Sequence, residues 1–260
     1  MKFKIKIFFL CLVSMVNIQA DIIIDSILNQ YQSYLEVGTY IGFDWSHFLV
    51  KPLSRYDTFK AAFNHFKDNN GRVVVELGTS RSFVHGGLIG CNSDDPQYWT
   101  PTEPGNWDWG AGFFTRMAAE CLMHLNPEIH TVDIDVSHME RCKIITADLK
   151  DYITYHVASS LDFLETCMPE SIDLLYLDTG DMTPIEPTAL LQLEEAHIIV
   201  KRNLLSINGI ILIDDVRNQT PQQFGETSGL GKSKYSIPYL LKQGFEIVAD
   251  EYQVILRKIH

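Results

Sequence analysis

Between residues 72 and 258 the chain alternates short apolar runs with longer stretches whose apolar residues recur at helical spacing. The runs are 72–77, "IHTVDID" (129–135), "ITYHVA" (153–158), "IDLLYLD" (172–178), "GIILIDD" (209–215), "FEIVAD" (245–250) and "YQVILRK" (252–258). Short runs rich in β-branched residues, bounded by turn residues, predict buried strands. Helices are predicted over 111–125, 137–143, 160–167, 185–204 and 235–243. Strands alternating with helices give an α/β fold, with a doubly wound, mostly parallel sheet of seven strands. Only Glu251 separates the last two runs, so they are expected to close as a C-terminal antiparallel hairpin.

Upstream lies a segment expected to be helical and to pack on the core, residues 21–71. Ile23, Ile27, Tyr31 and Leu35 form one stripe over 21–35. Tyr56, Phe59, Phe63 and Phe66 form another over 54–67, and Asn69, Asn70 and Gly71 end that helix. One connection is oversized. The loop over 79–110 carries Tyr98, Trp99, Trp107 and Trp109 among its turn residues. A loop of that length in a compact domain is usually functional, so it reads either as an ordered aromatic flap or as a structural excursion.

The first twenty residues have another character. Three lysines precede an apolar run from Ile7 to Val16, and Ala20 comes just before the first acid, Asp21. This is the layout of a signal peptide cleaved after residue 20, which predicts an exported protein, periplasmic or secreted. The alternatives are a buried N-terminal helix or an uncleaved anchor. No segment beyond it is long and apolar enough in sequence to span a membrane.

Composition changes the picture little. Hydrophobic residues make up 46% and charged residues 21% of the 260, which is ordinary for a globular chain. The net charge is −12, and since the first twenty residues carry three lysines and no acid, residues 21–260 carry −15, which argues against nucleic acid as the main partner. Cys91, Cys121, Cys142 and Cys167 show no CxxC spacing. They are either disulfide-forming or isolated buried thiols.

In a doubly wound sheet, ligands bind at the carboxyl ends of the strands, near the point where strand order reverses. Four strand ends here are acidic: Glu76, Asp133, Asp178 and the pair Asp214–Asp215. They are expected to converge on one rim. After the first strand, Gly78, Thr79, Ser80 and Ser82 let the backbone approach a ligand. The loop lacks GxGxxG, so a dinucleotide site is missing its fingerprint. Asp133 is placed to accept two ribose hydroxyls, and Glu76 suits a cationic amine and the N–H groups of the turn.

"VVVELGTSRS", "TVDID", "IDLLYLDTGDM" and "NGIILIDDV" resemble, in order and spacing, motifs of class I S-adenosylmethionine-dependent methyltransferases, a Rossmann-like fold. The resemblance covers residues 72 to 258 and is nearest to small-molecule O-methyltransferases of the catechol and macrolide-sugar types. It implies S-adenosylmethionine as cofactor, a small hydroxylated acceptor, and Mg²⁺ held by Asp178, Asp214 and Asp215. Hard oxygen ligands on adjacent strand ends suit that ion, although Asp214 and Asp215 could instead cap the next segment. The resemblance also places Ser160 and Asp162 near the adenine, and a helix cap accounts equally for Ser160.

Several positions depart from the family pattern. Ser82 stands in place of a motif glycine, and the long loop is extra. Asp181 occupies the offset of the catechol enzymes' lysine, so the base is open between Asp181 and His85, beside Asp178. "GETSGLGKS" (225–233) mimics a phosphate loop, but Glu226 replaces its first glycine and it follows the fifth strand. It reads as a mobile loop offering Lys232 and Lys234 to an anionic group. Two functions follow as expectations: a metal-assisted O-methyltransferase, or an exported binding protein that keeps the fold without the chemistry.

Overall fold

The computed structural model describes residues 21–32, 35–43, 48–79, 112–180, 184–217 and 229–259. The seven-stranded sheet is built as expected. In chain order its strands are β3 (Val73–Leu77), β4 (Glu128–Asp133), β5 (Ile153–Val157), β6 (Ile172–Leu177), β7 (Leu205–Ile213), β8 (Phe245–Asp250) and β9 (Val254–Lys258). Across the sheet they run β5-β4-β3-β6-β7-β9-β8. The first five are parallel, while β9 is antiparallel to both β7 and β8. Strand order reverses between β3 and β6, and that crevice is where such sheets take ligands.

Both faces of the sheet are buried, and the pleat divides the strand residues between them. Val74, Leu174, Tyr176, Ile210 and Leu212 join one cluster, while Val75, Leu77, Leu175, Leu177, Ile211 and Ile213 join the other. The first face is covered by α1 (21–32), α2 (Tyr56–Asp68), α3 (Phe113–Leu122) and the end of α4 (Val136–Ile145). On the second lie α5 (Ser160–Thr166), α6 (Ile185–Arg202) and α7 (Ser236–Lys242). Tyr176 is fully buried and stacks on Phe114 with ring centroids 4.1 Å apart.

Two features differ from the expectation. Tyr31 of α1 and Leu35 beyond it are buried as expected, but Ile24 and Leu28, rather than the half-buried Ile23 and Ile27, complete the buried stripe. The N-terminal segment is also not wholly helical. A two-stranded antiparallel hairpin, β1 (Glu36–Phe43) and β2 (Phe48–Ser54), stands between α1 and α2. Its alternation is interrupted by glycines and by Pro52, which weakened the strand signal.

Cys121, Cys142 and Cys167 are free thiols. Cys91, the aromatic loop and the N-terminal twenty residues lie outside the described residues. No helix among the described residues is long and apolar enough to cross a membrane.

Candidate functional site

Parallel strands bring their carboxyl ends to one rim, and backbone bonds tie those ends together. Gly78 N donates to Val132 O, Asp178 N to Leu77 O, and Asp214 N to Leu177 O, at 2.8 to 3.0 Å. Gly78 has φ +79°, and a Cβ there would lie 2.6 Å from the Asp178 carbonyl oxygen. The β3 turn thus needs glycine for its own packing against β6, before any ligand is considered.

Asp133 ends β4 beside that turn. Its Oδ2 accepts from Thr79 N (3.1 Å) and its Oδ1 from Asp135 N (2.7 Å). His138 Nδ1 lies 3.3 Å from Oδ2. Two backbone donors fix the carboxylate, and Oδ1, with a single partner, keeps a further lone pair for a ligand hydroxyl. Glu76 is placed differently. It is fully buried, and its Oε2 accepts from the hydroxyls of Thr131 (2.6 Å) and Thr115, which holds α3 to the sheet.

Asp178, Asp214 and Asp215 converge as expected. One oxygen from each falls within 4.8 Å of the others. What the sequence did not disclose is that two buried cations already hold them. Arg55 donates from Nε to Asp214 Oδ1 (2.8 Å), and from Nη2 to Asp214 Oδ2 (2.9 Å) and Asp215 Oδ1 (3.1 Å). Lys232 Nζ lies 2.8 Å from Asp178 Oδ1, 3.1 Å from Asp215 Oδ2 and 3.3 Å from the Gly180 carbonyl oxygen. Gln253 Nε2 donates to Asp214 Oδ1 (2.9 Å), and the Tyr252 hydroxyl donates to Asp215 Oδ1. The Tyr252 ring also lies under the Arg55 guanidinium, 4.5 Å from its centroid, a favourable cation–π distance.

Three remote pieces of chain bring these partners to the acids. Arg55 enters from the β2–α2 junction, where a cation at a helix N-terminus opposes the helix dipole and needs an acid from elsewhere. Tyr252 and Gln253 come from the β8–β9 turn. Lys232 sits in a 3₁₀ turn, Gly231–Ser233. Gly231 has φ +54°, and a Cβ there would lie 2.0 Å from the Asp215 carbonyl oxygen, so only glycine lets the turn come this close. Asp215 is itself left-handed, at φ +55°.

The mobile-loop reading of Lys232 and Lys234 is therefore corrected at both residues. Lys232 is 1% exposed and serves carboxylates rather than an anionic ligand. Lys234 pairs with Glu186.

Electrostatics separate the three acids. Burial, together with the charges of Asp214 and Asp215, raises Asp178 to about 8 against the pull of Lys232. Burial also opposes the charge of Asp215, yet Lys232 and Arg55 together hold it down at about 2. Lys232 stays above its usual range, because Asp178, Asp215 and Asp214 outweigh burial. Among the described residues Asp178 Oδ2 has no protein partner, and the Asp178 side chain is 13% exposed against 2% for Asp214.

Ser160 is buried and hydrogen-bonds Glu195, while the cap of α5 is Ser159, whose Oγ accepts from Asp162 N at 3.1 Å. Asp162 is exposed in the first turn. Ser80, Ser82, His85 and Asp181 lie outside the described residues.

Glu195 carries a testable consequence. It is 0% exposed, Thr179 Oγ1 donates to its Oε2 (2.9 Å), and its Oε1 has no protein partner among the described residues. Burial pushes it up to about 7 from 4.5 despite the hydroxyls of Ser160 and Thr179. A folded-state value above the unfolded one means that the stability is full below pH ~4.5 and is lost as pH rises through ~7. At about 1.4 kcal/mol per unit the loss is on the order of 3 kcal/mol. Glu195→Gln should therefore melt higher than the parent at pH 8 and no higher at pH 4.5. An equal difference in Tm at both pH values would contradict this.

Neither a protein-family profile nor a curated protein matches the sequence. Among solved structures, the chain is similar to the SAH-bound methyltransferase PaMTH1 of Podospora anserina, at 16% identity and a TM-score of 0.50 over 80% of each chain. It is also similar to a methyltransferase from Geobacter sulfurreducens, at 12% identity and a TM-score of 0.45, over 78% of this chain and 79% of that one. Counted from β3 as the first strand, the order 3-2-1-4-5-7-6 with its antiparallel hairpin is that of class I S-adenosylmethionine-dependent methyltransferases. The chain has that fold.

Proposed function

We propose that the protein is an S-adenosylmethionine-dependent methyltransferase that methylates a hydroxyl of a small acceptor at the acidic rim. The observation that carries this reading is that the sheet brings the partly exposed Asp178 and the oriented carboxylate of Asp133 to one rim, on either side of β3 at the β3–β6 switch point.

The residues present fit the cofactor. Asp133 would take its ribose hydroxyls, and the turn at Gly78 and Thr79 brings backbone rather than side-chain bulk to the crevice. When bound, S-adenosylmethionine supplies an already activated methyl group, so the protein's work is positioning and deprotonation. Asp178 is the group suited to deprotonation. A carboxylate whose proton affinity lies near neutral pH can accept the acceptor's hydroxyl proton as the oxygen attacks. Arg55 and Lys232 hold the neighbouring acids in place and offset their charge.

The three carboxylates have the spacing of a site for a hard divalent ion, but every oxygen of Asp214 and Asp215, and Oδ1 of Asp178, is bound to a protein donor. As arranged they do not fit a metal.

Calorimetric titration with S-adenosylmethionine tests the reading. The parent should bind it saturably. Asp133→Ala should weaken binding by roughly 1–3 kcal/mol, about five- to 150-fold in Kd, because ligand hydroxyls lose their acceptor. A parent that takes up no S-adenosylmethionine would overturn the proposal.

A further inference from the structure

The ammonium of Lys232 has three N–H donors, and three acceptors surround it: Asp178 Oδ1, Asp215 Oδ2 and the Gly180 carbonyl. Two of the three candidate metal ligands therefore give their oxygens to the same nitrogen. An ion bound to those oxygens would stand beside a buried positive charge at a few ångströms, where like charges repel strongly.

Nor can Lys232 easily withdraw. Its turn is pinned on one side by the close approach of Gly231 to the Asp215 carbonyl. On the other side, Ser233 Oγ donates to Gln192 Oε1 of α6 at 2.8 Å, and both residues are 0% exposed. The third carboxylate, Asp214, has both oxygens engaged by Arg55 and one also by Gln253.

We propose that Lys232 is the resident cation of the Asp178–Asp214–Asp215 cluster, occupying the seat a divalent metal would otherwise take, and that the site works without a metal. The inference rests on the methyl-transfer reading above for its chemistry. In it Lys232 is a positioning residue. It holds Asp178 by Oδ1, leaves Oδ2 to the acceptor, and supplies a fixed positive charge that needs no ion from solution. Removing the ammonium should open the seat.

The test is a titration of the full chain with Mn²⁺ alone, followed by calorimetry or the free-ion electron spin resonance signal. The parent should show no saturable binding up to about 1 mM, the weak end of protein sites for hard divalent ions. Lys232→Ala should gain one Mn²⁺ site, and adding Asp215→Asn should abolish it. If the alanine variant does not fold, Lys232→Met keeps the bulk, removes the charge and takes its place.

Saturable uptake by the parent that disappears in Asp215→Asn would overturn the proposal whatever the variants do. So would a folded Lys232 variant that binds no Mn²⁺, because the cluster would then be no metal seat to fill. The titration needs no methyl donor or acceptor, so failure to bind S-adenosylmethionine would strike the functional reading and leave this result to be judged separately. Where an acceptor is found, chelator should leave the parent's turnover unchanged.

Discussion

Arg55→Leu should lower the unfolding free energy by about 3–5 kcal/mol, the cost of leaving a buried carboxylate without its cation. Asp214 is 1% exposed and spends both oxygens on Arg55. Without the guanidinium, Gln253 is its one remaining side-chain donor among the described residues, and the charges of Asp214 and Asp215 face each other directly. Urea denaturation should show a lower midpoint with an unchanged slope. Arg55→Leu combined with Asp214→Leu should recover much of the loss, since removing both members of a buried pair is far less harmful than removing one. A single variant within 1 kcal/mol of the parent would show that the pair holds nothing together.

The contrast between sheet and site shows what a sequence displays. Strands such as "IDLLYLD" and "GIILIDD" are legible because burial on both faces leaves an almost unbroken apolar run. Their acidic ends were legible too, since parallel strands must deliver them to one rim. The partners of those acids were not. Arg55 and Asp214 are 159 positions apart, and Lys232 and Asp178 are 54 apart. No periodicity connects such pairs, and only the closed fold brings them together.

Each missed partner nonetheless left a trace. A lone arginine opens a phenylalanine-rich helix, where the dipole disfavours a cation. In "GLGKS" two glycines bracket the approach to Lys232, and the structure uses the second to press the chain against Asp215. That motif fails as a phosphate loop, with Glu226 at the first glycine position. The same glycines serve a lysine directed at carboxylates. The β1–β2 hairpin was hidden for a different reason, because a two-stranded ribbon interrupted by glycine and proline lacks the alternation that identifies a strand.

Asp178→Asn carries the largest expected effect on activity. If Asp178 accepts the proton, the amide cannot, and turnover should fall about 10²- to 10⁴-fold, the range of a lost general base. The affinity for S-adenosylmethionine should hardly change, because that binding is assigned to Asp133 and the Gly78 turn. The amide oxygen of the variant can still accept from Lys232, so the fold has little reason to suffer. The pH profile separates a base from a mere contact. Asp178 is raised to about 8 by burial and its acidic neighbours, so the reactive carboxylate form grows as pH rises through that value. In the parent, kcat/KM for any hydroxylated acceptor it methylates should therefore climb through about pH 8, and the variant's residual rate should not follow that limb. A variant that keeps both rate and limb would remove Asp178 as the base. Finding neither cofactor binding nor methyl transfer in the parent would instead leave a binding protein that has the fold without the chemistry.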